Sequence, residues 1–561
     1  MKSSPNETSK PLPFELYDSY TREKYQISNN NTVKPGIIKI YSCGPTVYNY
    51  QSIGNMRAVW LPDTITSLAK IAGYQVEWTL NITDVGHLVS DGDDGEDKIE
   101  KGAKRESKSV QEIIDHYTHN FEEQCQSLNF QIPKGFYNPK ATDYIKEQML
   151  LSLLLLVQEG SAYLTEDGIY YDTIGNQKVP AKAETSPDTK STNFTGRDIV
   201  KTDKKHPDDF ALWKFVSENN LQKWKFSDFE EIKIFIERIV GKFEEVENRE
   251  KAEQLRSILH KWGSPGWHSE CVCMIAGTLG DKKCNNHDST NKQKLFSEEF
   301  TDGIYFETFS KKPAVIDIHT GGEDHIDIHH KNEILQSEAL GFHLSKYWTH
   351  NKFVLVDSQK MSKSLGNVFL VTGKKSQTGF DSIEEQGYDP LAYRLMLFEH
   401  HYREQMNFTW DKLTQAQNRL YNLRKMTAQI RFFSQENKID PNSEILEKQR
   451  LIQLKPLQED LNTPKFLERY QDFLQDIVNE IQTKKTLNQK NLNLMTYWEE
   501  KFLRLNLLPK IPAEILDLAN QRVSAKKEKN YKEADQIRDS INSHHWQIDD
   551  YSWGFGLWKQ R

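Results

Sequence analysis

Between Lys360 and Asn367 the chain reads Lys-Met-Ser-Lys-Ser-Leu-Gly-Asn. Two lysines three positions apart, separated by small residues and followed by glycine, make a mobile cationic loop. The ammonium groups of Lys360 and Lys363 can meet a polyphosphate and balance its charge as it moves onto a leaving group. A glycine-containing turn between strand and helix is a second candidate, because the helix N-terminus and a close backbone approach can bind nucleotide phosphates. The stretch from Gly44 to Asn55, Gly-Pro-Thr-Val-Tyr-Asn-Tyr-Gln-Ser-Ile-Gly-Asn, has that form. Further on, His329 and Glu333 are four apart, which puts an imidazole and a carboxylate on one face of a helix. Two sulfur ligands added to that pair would satisfy tetrahedral zinc. A more local zinc knuckle is the rival, because Cys271, Cys273, Cys284 and His287 lie within seventeen residues. Its single residue between the first two cysteines is tighter than the usual ~2–4. Cys125 falls in a helical stretch and reads as a buried thiol.

The elements that must position these groups follow from pattern and composition. The chain has 561 residues, 73 basic and 81 acidic side chains and a net charge of −8. At ~100–200 residues per domain this predicts several domains. Hydrophobic residues at 37%, with 11% aromatics, exclude wholesale disorder. The mild acidity excludes a chain that coats nucleic acid indiscriminately but leaves room for a local basic surface facing one RNA. The longest apolar run, Met149 to Val157, is broken by Ser152 and falls short of the ~20 residues of a membrane span. The polar start has no apolar signal core, and five cysteines cannot build a disulfide scaffold. A soluble, cytoplasmic protein with no membrane partner is expected.

Ile37–Tyr41 reads as a strand, Met56–Ile71 as a helix and Val76–Ile82 as the next strand, the βαβ unit of a parallel sheet. Residues 1–34 form a polar leader and 35–125 the first half of this α/β domain. Residues 111–160 are helical by periodicity, and a mixed domain is inserted over 126–215. A helical insertion covers 216–262, with Ile232, Phe235, Ile236, Ile239, Val240, Phe243 and Val246 on one amphipathic stripe. The α/β domain resumes over 263–356, interrupted by a polar, lysine-rich surface insertion at 277–313. The lysine loop and its surroundings fill 357–400. A helical bundle over 401–505, with Leu413, Leu420 and Leu423 at heptad-like spacing, precedes a small unit at 506–561 that carries Trp546, Trp553 and Trp558. The fold class is therefore α/β: a doubly wound, Rossmann-type domain split by an insertion, followed by an α-helical bundle and a small C-terminal unit.

The lysine string is a signature of class I aminoacyl-tRNA synthetases, and four blocks in order resemble the cysteinyl-tRNA synthetase family. These are Cys43–Asn55, Gly266–Cys271, His319–Asp324 with His329–Glu333, and Lys360–Asn367. Asn81–Leu88, Asp208–Lys214, His401–Arg403 and Lys532–Asp539 are similar to further family segments. The resemblance runs from about residue 35 to the end, outside the two insertions. It implies activation of L-cysteine by ATP to cysteinyl-adenylate, then transfer to the 3′ adenosine of tRNA(Cys) with release of AMP and diphosphate. It implies one zinc ion per chain on Cys43, Cys271, His329 and Glu333, with Trp267 and His268 beside the cysteine pocket. Zinc prefers soft sulfur and lowers the thiol pKa, so it can hold the substrate thiolate. Serine would lose that bond, a polar discrimination of ~10⁴ or more, so no editing domain is required.

Thr46, Gly54, Gly321, Gly322, Asp324 and Lys363 are the ATP contacts that the resemblance implies, with Mg²⁺ arriving on ATP. Ser52, Asn55, Lys360 and Lys363 are the implied catalytic residues. The family has histidine where this chain has Ser52. Tryptophanyl enzymes of the class can carry a Thr-Ile-Gly-Asn version, so a hydroxyl there can still donate to phosphate over a shorter reach. The resemblance makes 126–215 a connective domain, 357–400 a stem-contact region, 401–505 a tRNA-binding bundle and 506–561 an anticodon-binding unit. The terminal tryptophans would stack on unpaired bases for ~1–3 kcal/mol each. A monomer is expected. A cysteine ligase with a small-molecule amine acceptor shares the catalytic pattern, but such relatives are shorter at the C-terminus, and here 160 residues follow His401. A catalytically weak, tRNA-binding paralogue is suggested by Ser52 alone.

Overall fold

The computed structural model describes residues 10–86, 98–158, 160–175, 204–280, 314–436 and 447–560. Most of the 277–313 insertion, with Cys284 and His287 and hence the local zinc knuckle, lies outside the described residues. An antiparallel hairpin, β1 (Phe14–Tyr17) and β2 (Lys24–Ile27), precedes β3 (Ile37–Ser42). Ser52 caps α1 (Ile53–Ile71), which leads to β4 (Gln75–Leu80), parallel to β3. The period-2 alternation of β3 separates two cores. Ile38 and Ile40 pack on the side of α1, while Tyr41 joins the core on the opposite face.

Helices α2 (Lys98–Glu106), α3 (Val110–Ser127) and α4 (Ile145–Val157) follow, so the helical expectation over 111–160 resolves into two helices joined by 3₁₀ turns. Next come β5 (Ala162–Leu164), β6 (Gly168–Tyr171), β7 (Phe210–Phe215), β8 (Trp224–Lys225), α5 (Glu230–Glu245), α6 (Arg249–Ile258) and β9 (Trp262–Pro265). The strands form one sheet in the order β5-β6-β7-β9-β8. The expectation of one amphipathic helix over 216–262 is thereby corrected: the segment supplies strands to this sheet and folds into two helices. Ile232, Phe235, Ile236 and Val240 are buried, but Val246 is 70% exposed. It follows the last residue of α5, where the chain turns through Glu247 at φ 58° and the helical period ends. Helix α7 (Trp267–Leu279) starts immediately after β9 and carries Gly277, Thr278 and Leu279 into the interior, so these three do not belong to a surface excursion.

Strand β10 (Ile316–Gly322), α8 (Lys331–Ala339) and β11 (Ser345–Asn351) complete the main sheet, parallel throughout in the order β11-β10-β3-β4. From β3 the chain crosses through α1 to β4 on one side; from β10 it crosses through α8 to β11 on the other. The order reverses between β3 and β10, and the crevice beyond their carboxyl ends is where such sheets bind ligands. The parallel α/β class read from the sequence is the one observed. Short strands β12 (Val354–Val356) and β13 (Gln359–Lys360) then lead into the lysine loop.

The rest is mainly helical: α9 (Pro390–Phe398), α10 (Trp410–Glu436), α11 (Glu447–Gln458), α12 (Thr463–Lys484), α13 (Gln489–Trp498), α14 (Ala513–Lys527) and α15 (Tyr531–Ser543). Leu413, Leu420 and Leu423 are buried along α10. A terminal hairpin pairs Trp546–Tyr551 with Gly554–Lys559. Trp546 is a core residue, packed with Phe432, Ile515 and Ile541 on the inner face of that hairpin, so it is removed from the base-stacking candidates. Trp553 stacks on Tyr551 at 4.9 Å. Among the described residues no helix is long and apolar enough to cross a membrane.

One carboxylate ties the α/β body to the helices. Asp63 of α1 accepts Arg394 Nη2 of α9 at 3.3 Å and Arg504 Nη2, beyond α13, at 2.5 Å, and all three side chains are buried. Arg394 also donates to the carbonyls of Leu503 and Leu128. Removing one partner of a buried ion pair leaves a charge uncompensated. Asp63→Ala is therefore expected to lower the unfolding free energy by about 3–5 kcal/mol, read as a fall in the urea midpoint.

Candidate metal and nucleotide site

Three separated segments meet at the switch point. Cys43 follows the end of β3, Cys271 sits in the first turns of α7, and Ile326–His330 winds as a π-turn that feeds α8. Such widened turns are frequent at functional sites. One ligand atom from each of Cys43, Cys271, His329 and Glu333 lies within 4.8 Å of the others. The two sulfurs are 3.8 Å apart. Glu333 Oε1 approaches His329 Nε2 at 2.9 Å and Oε2 approaches His319 Nε2 at 2.8 Å. Yet none of these four atoms has a hydrogen-bond partner. Close approach without hydrogen-bond geometry is what lone pairs give when they point at a shared centre. Two sulfurs, an imidazole and a carboxylate fit a tetrahedral, zinc-type cation.

The charges are ordered accordingly. Burial pushes the Cys43 thiol well up, and the neighbouring Cys271 adds to the rise. Cys271 is buried too, but its hydrogen bond with Cys43 and the charge of His329 draw it down to about 7. Burial opposes the charge on His329, yet Glu333 and Cys271 raise it to about 10. Glu333 is held low, against its own burial, by His319 and His329.

Trp267 stacks on His329 at 4.3 Å, and His268 Nδ1 meets His329 Nδ1 at 3.1 Å while its Nε2 meets Asn332 at 3.1 Å. This contact fixes the imidazole plane through its second nitrogen. Two further histidines stand here that received no role from the sequence. His319 and His330 form a second quartet with Cys43 and Glu333, His319 stacks on Trp348 at 4.6 Å, and His330 bonds His350 at 2.7 Å. Their signal was available: His319 lies on the strand that ends in the glycine pair, and His330 adjoins His329.

The residues expected to contact ATP lie around the start of α1, the end of β10 and the lysine loop. Thr46 bridges to Thr83 beside the turn. Ser52 and Asn55 form a reciprocal capping box: Ser52 N and Oγ donate to Asn55 Oδ1 at 2.9 and 2.7 Å, and Asn55 N returns to Ser52 Oγ at 3.4 Å. The hydroxyl is thus engaged with Asn55 Oδ1, which leaves the amide NH2 of the exposed Asn55 as a donor. The Met361 side-chain methyl of the lysine loop packs against Gly54 at the head of α1. The loop is braced by Ser362 N on Asn367 Oδ1 at 2.8 Å. Lys360 lies 4.7 Å from the Phe353 ring and Lys363 6.0 Å from the Tyr48 ring. A Cβ on Gly321 would stand 2.7 Å from His325 and His330, so that glycine admits imidazoles to the strand backbone. Gly322 lies against the carboxylate of Asp324, which is exposed at the end of β10.

Comparison with known proteins adds a separate line. Residues 29–227 and 305–418 match the family model for the class I (C) tRNA synthetase catalytic domain. The chain is 29% identical to cysteine–tRNA ligase 1 of Burkholderia lata over 96% of this chain and 95% of that one. It is 30% identical to the cysteine–tRNA ligase of Treponema denticola over 91% and 92%. A methionyl-tRNA synthetase from Mycobacterium tuberculosis in complex with methionyl-adenylate superposes with a TM-score of 0.45 at 11% identity, over 84% of this chain and 90% of that one.

Metal content separates the distributed ligand set from the local knuckle. The purified chain is expected to hold one equivalent of zinc, Cys284→Ser to keep it, and Cys43→Ser to lose most of it. Full zinc in Cys43→Ser beside an empty Cys284→Ser would reverse the assignment.

Proposed function

Since the chain belongs to the cysteine–tRNA ligases among class I tRNA synthetases, we propose that it activates L-cysteine with ATP and passes the cysteinyl group to the 3′ adenosine of tRNA(Cys). The observation that carries this reading is the convergence of Cys43, Cys271, His329 and Glu333 at the crevice of the parallel sheet, within one fold of the lysine loop. When bound, zinc would supply a soft Lewis acid for the substrate sulfur, the property that separates cysteine from serine. Trp267 and His268 would hold the His329 ring and wall the pocket. The substrate carboxylate oxygen attacks the α-phosphorus, and diphosphate departs with the electron pair of the broken P–O bond, its Mg²⁺ having come with ATP.

The protein's own part in that step is charge and position. Lys363, with Lys360 beside it, would meet the departing diphosphate. Asn55 would donate from its amide NH2, held in place by Ser52. On this geometry Ser52 acts through Asn55, which accounts for a short hydroxyl standing where the family has histidine.

Cysteine-dependent ATP–pyrophosphate exchange, followed by charging of tRNA, tests the reading. The parent is expected to be active with cysteine and inactive with serine. Lys363→Ala should slow exchange by roughly 10²-fold with little change in cysteine KM, because a contact made in the transition state is removed. Ser52→Ala, which removes a neutral hydrogen bond that positions Asn55, should lose about 0.5–1.5 kcal/mol of transition-state stabilisation, and the melting temperature should fall slightly with loss of the cap. A zinc-loaded, folded parent without exchange would remove the ligase reading.

A further inference from the structure

Two cations stand beside the turn that ends at Ser52, Lys363 near Tyr48 and Arg105 on the tyrosine packed against Tyr50. Helix α2 docks on that turn through Gly102, where a Cβ would lie 3.6 Å from the Tyr48 carbonyl. Arg105 follows three positions later, on the same helical face. Its Nη2 donates to Glu106 Oε1 at 2.7 Å and to Tyr117 Oη at 3.1 Å. The Tyr117 ring meets the Tyr50 ring edge-on at 5.0 Å. The Lys363 ammonium approaches the Tyr48 ring. Tyr48 and Tyr50, both in the turn that ends at Ser52, thus bring one cation each to the N-terminus of α1. Among the described residues, Arg105 Nε and Nη1 have no acceptor. Glu106 does not cancel this charge, since it also holds Lys108 at 3.2 Å. Burial, and after it the Arg105 guanidinium, lower the Lys363 pKa.

We propose that Arg105 is a further catalytic residue, the second cation on the polyphosphate of ATP, set with Lys363 at the head of α1. This rests on the ligase reading above. The two cations divide the work by shape: a lysine is a mobile point charge, whereas a guanidinium edge can take two phosphate oxygens at once. As the bond between the α-phosphorus and the bridging oxygen breaks, the electron pair passes to the diphosphate, and Arg105 meets it without giving up a proton. Tyr117 acts as a positioning residue, its hydroxyl fixing Nη2 so that the other edge of the fork faces the phosphates.

Cysteine-dependent exchange in the zinc-loaded full chain, with kcat and the KM for ATP and for cysteine, tests this. Arg105→Gln should lower kcat about tenfold or more at constant cysteine KM and melting temperature. Arg105→Lys should recover part of the loss. Arg105→Gln/Lys363→Ala should lose less than the product of the single losses, because both act on one departing group. An active parent with an unaffected Arg105→Gln overturns this proposal alone. Equal losses in Arg105→Gln and Arg105→Lys with a lowered melting temperature also overturn it, by making Arg105 a structural brace. A parent without exchange overturns the proposal together with the ligase reading.

Discussion

A buried carboxylate sets the terms for this molecule. Both oxygens of Glu333 are withdrawn from water and face imidazoles without hydrogen-bond geometry. Burying an ion in protein costs several kcal/mol unless opposite charge and directed donors meet it. The α/β body is arranged to supply those partners: β10 delivers His319, the π-turn delivers His329, and β3 and α7 deliver the two thiols. Because the parallel sheet reverses between β3 and β10, these contributions arrive at one crevice rather than on opposite edges. The same reversal opens the mouth where α1 begins, so the sulfur cluster and the exposed helix end are products of one topological event.

The charge at that mouth is handled differently from the charge in the crevice. Below, the groups are rigid and buried. Above, they are lysines on a short loop, braced by Asn367, which accepts from Ser362 N and donates to the Lys360 carbonyl, and by the contact of Met361 with Gly54. On the proposed reading, specificity would rest on the buried parts and charge balance on parts that could follow a moving phosphate.

Much of this was legible in the sequence, where the information is local. The lysine loop, the glycine turn and the spacing of His329 and Glu333 are short strings whose geometry follows from one turn of backbone. The parallel α/β class followed from a βαβ unit with clean periodicity. Long-range placement was less accessible. That Ser52 would spend its hydroxyl on Asn55 could have been read from a Ser followed three residues later by an amide, yet the expectation of direct phosphate contact obscured it. His319 and His330 carry no role legible in the sequence, because pattern does not say which side of a strand or π-turn meets a site. The stripe through Val246 failed for the opposite reason: the period continued in sequence after the helix had ended. Trp546 turned inward because a two-stranded hairpin must bury one face against the helices.

The pairing of β3 with β10 has a consequence for how the chain is made. Ser42 meets its neighbour Thr320 across 278 positions of sequence. At a synthesis rate of ~5–20 residues per second, roughly 15 seconds to a minute separates the emergence of one strand from that of the other. During that interval the apolar face of β3 and one of its long edges are complete but unmatched, and Cys43 waits beside them as a lone thiol. An unpaired strand edge is a template for the wrong partner. The nascent chain therefore passes through a window of vulnerability to aggregation and oxidation that the finished protein does not share, and its yield in a cell depends on what shelters it there as much as on the stability it finally reaches.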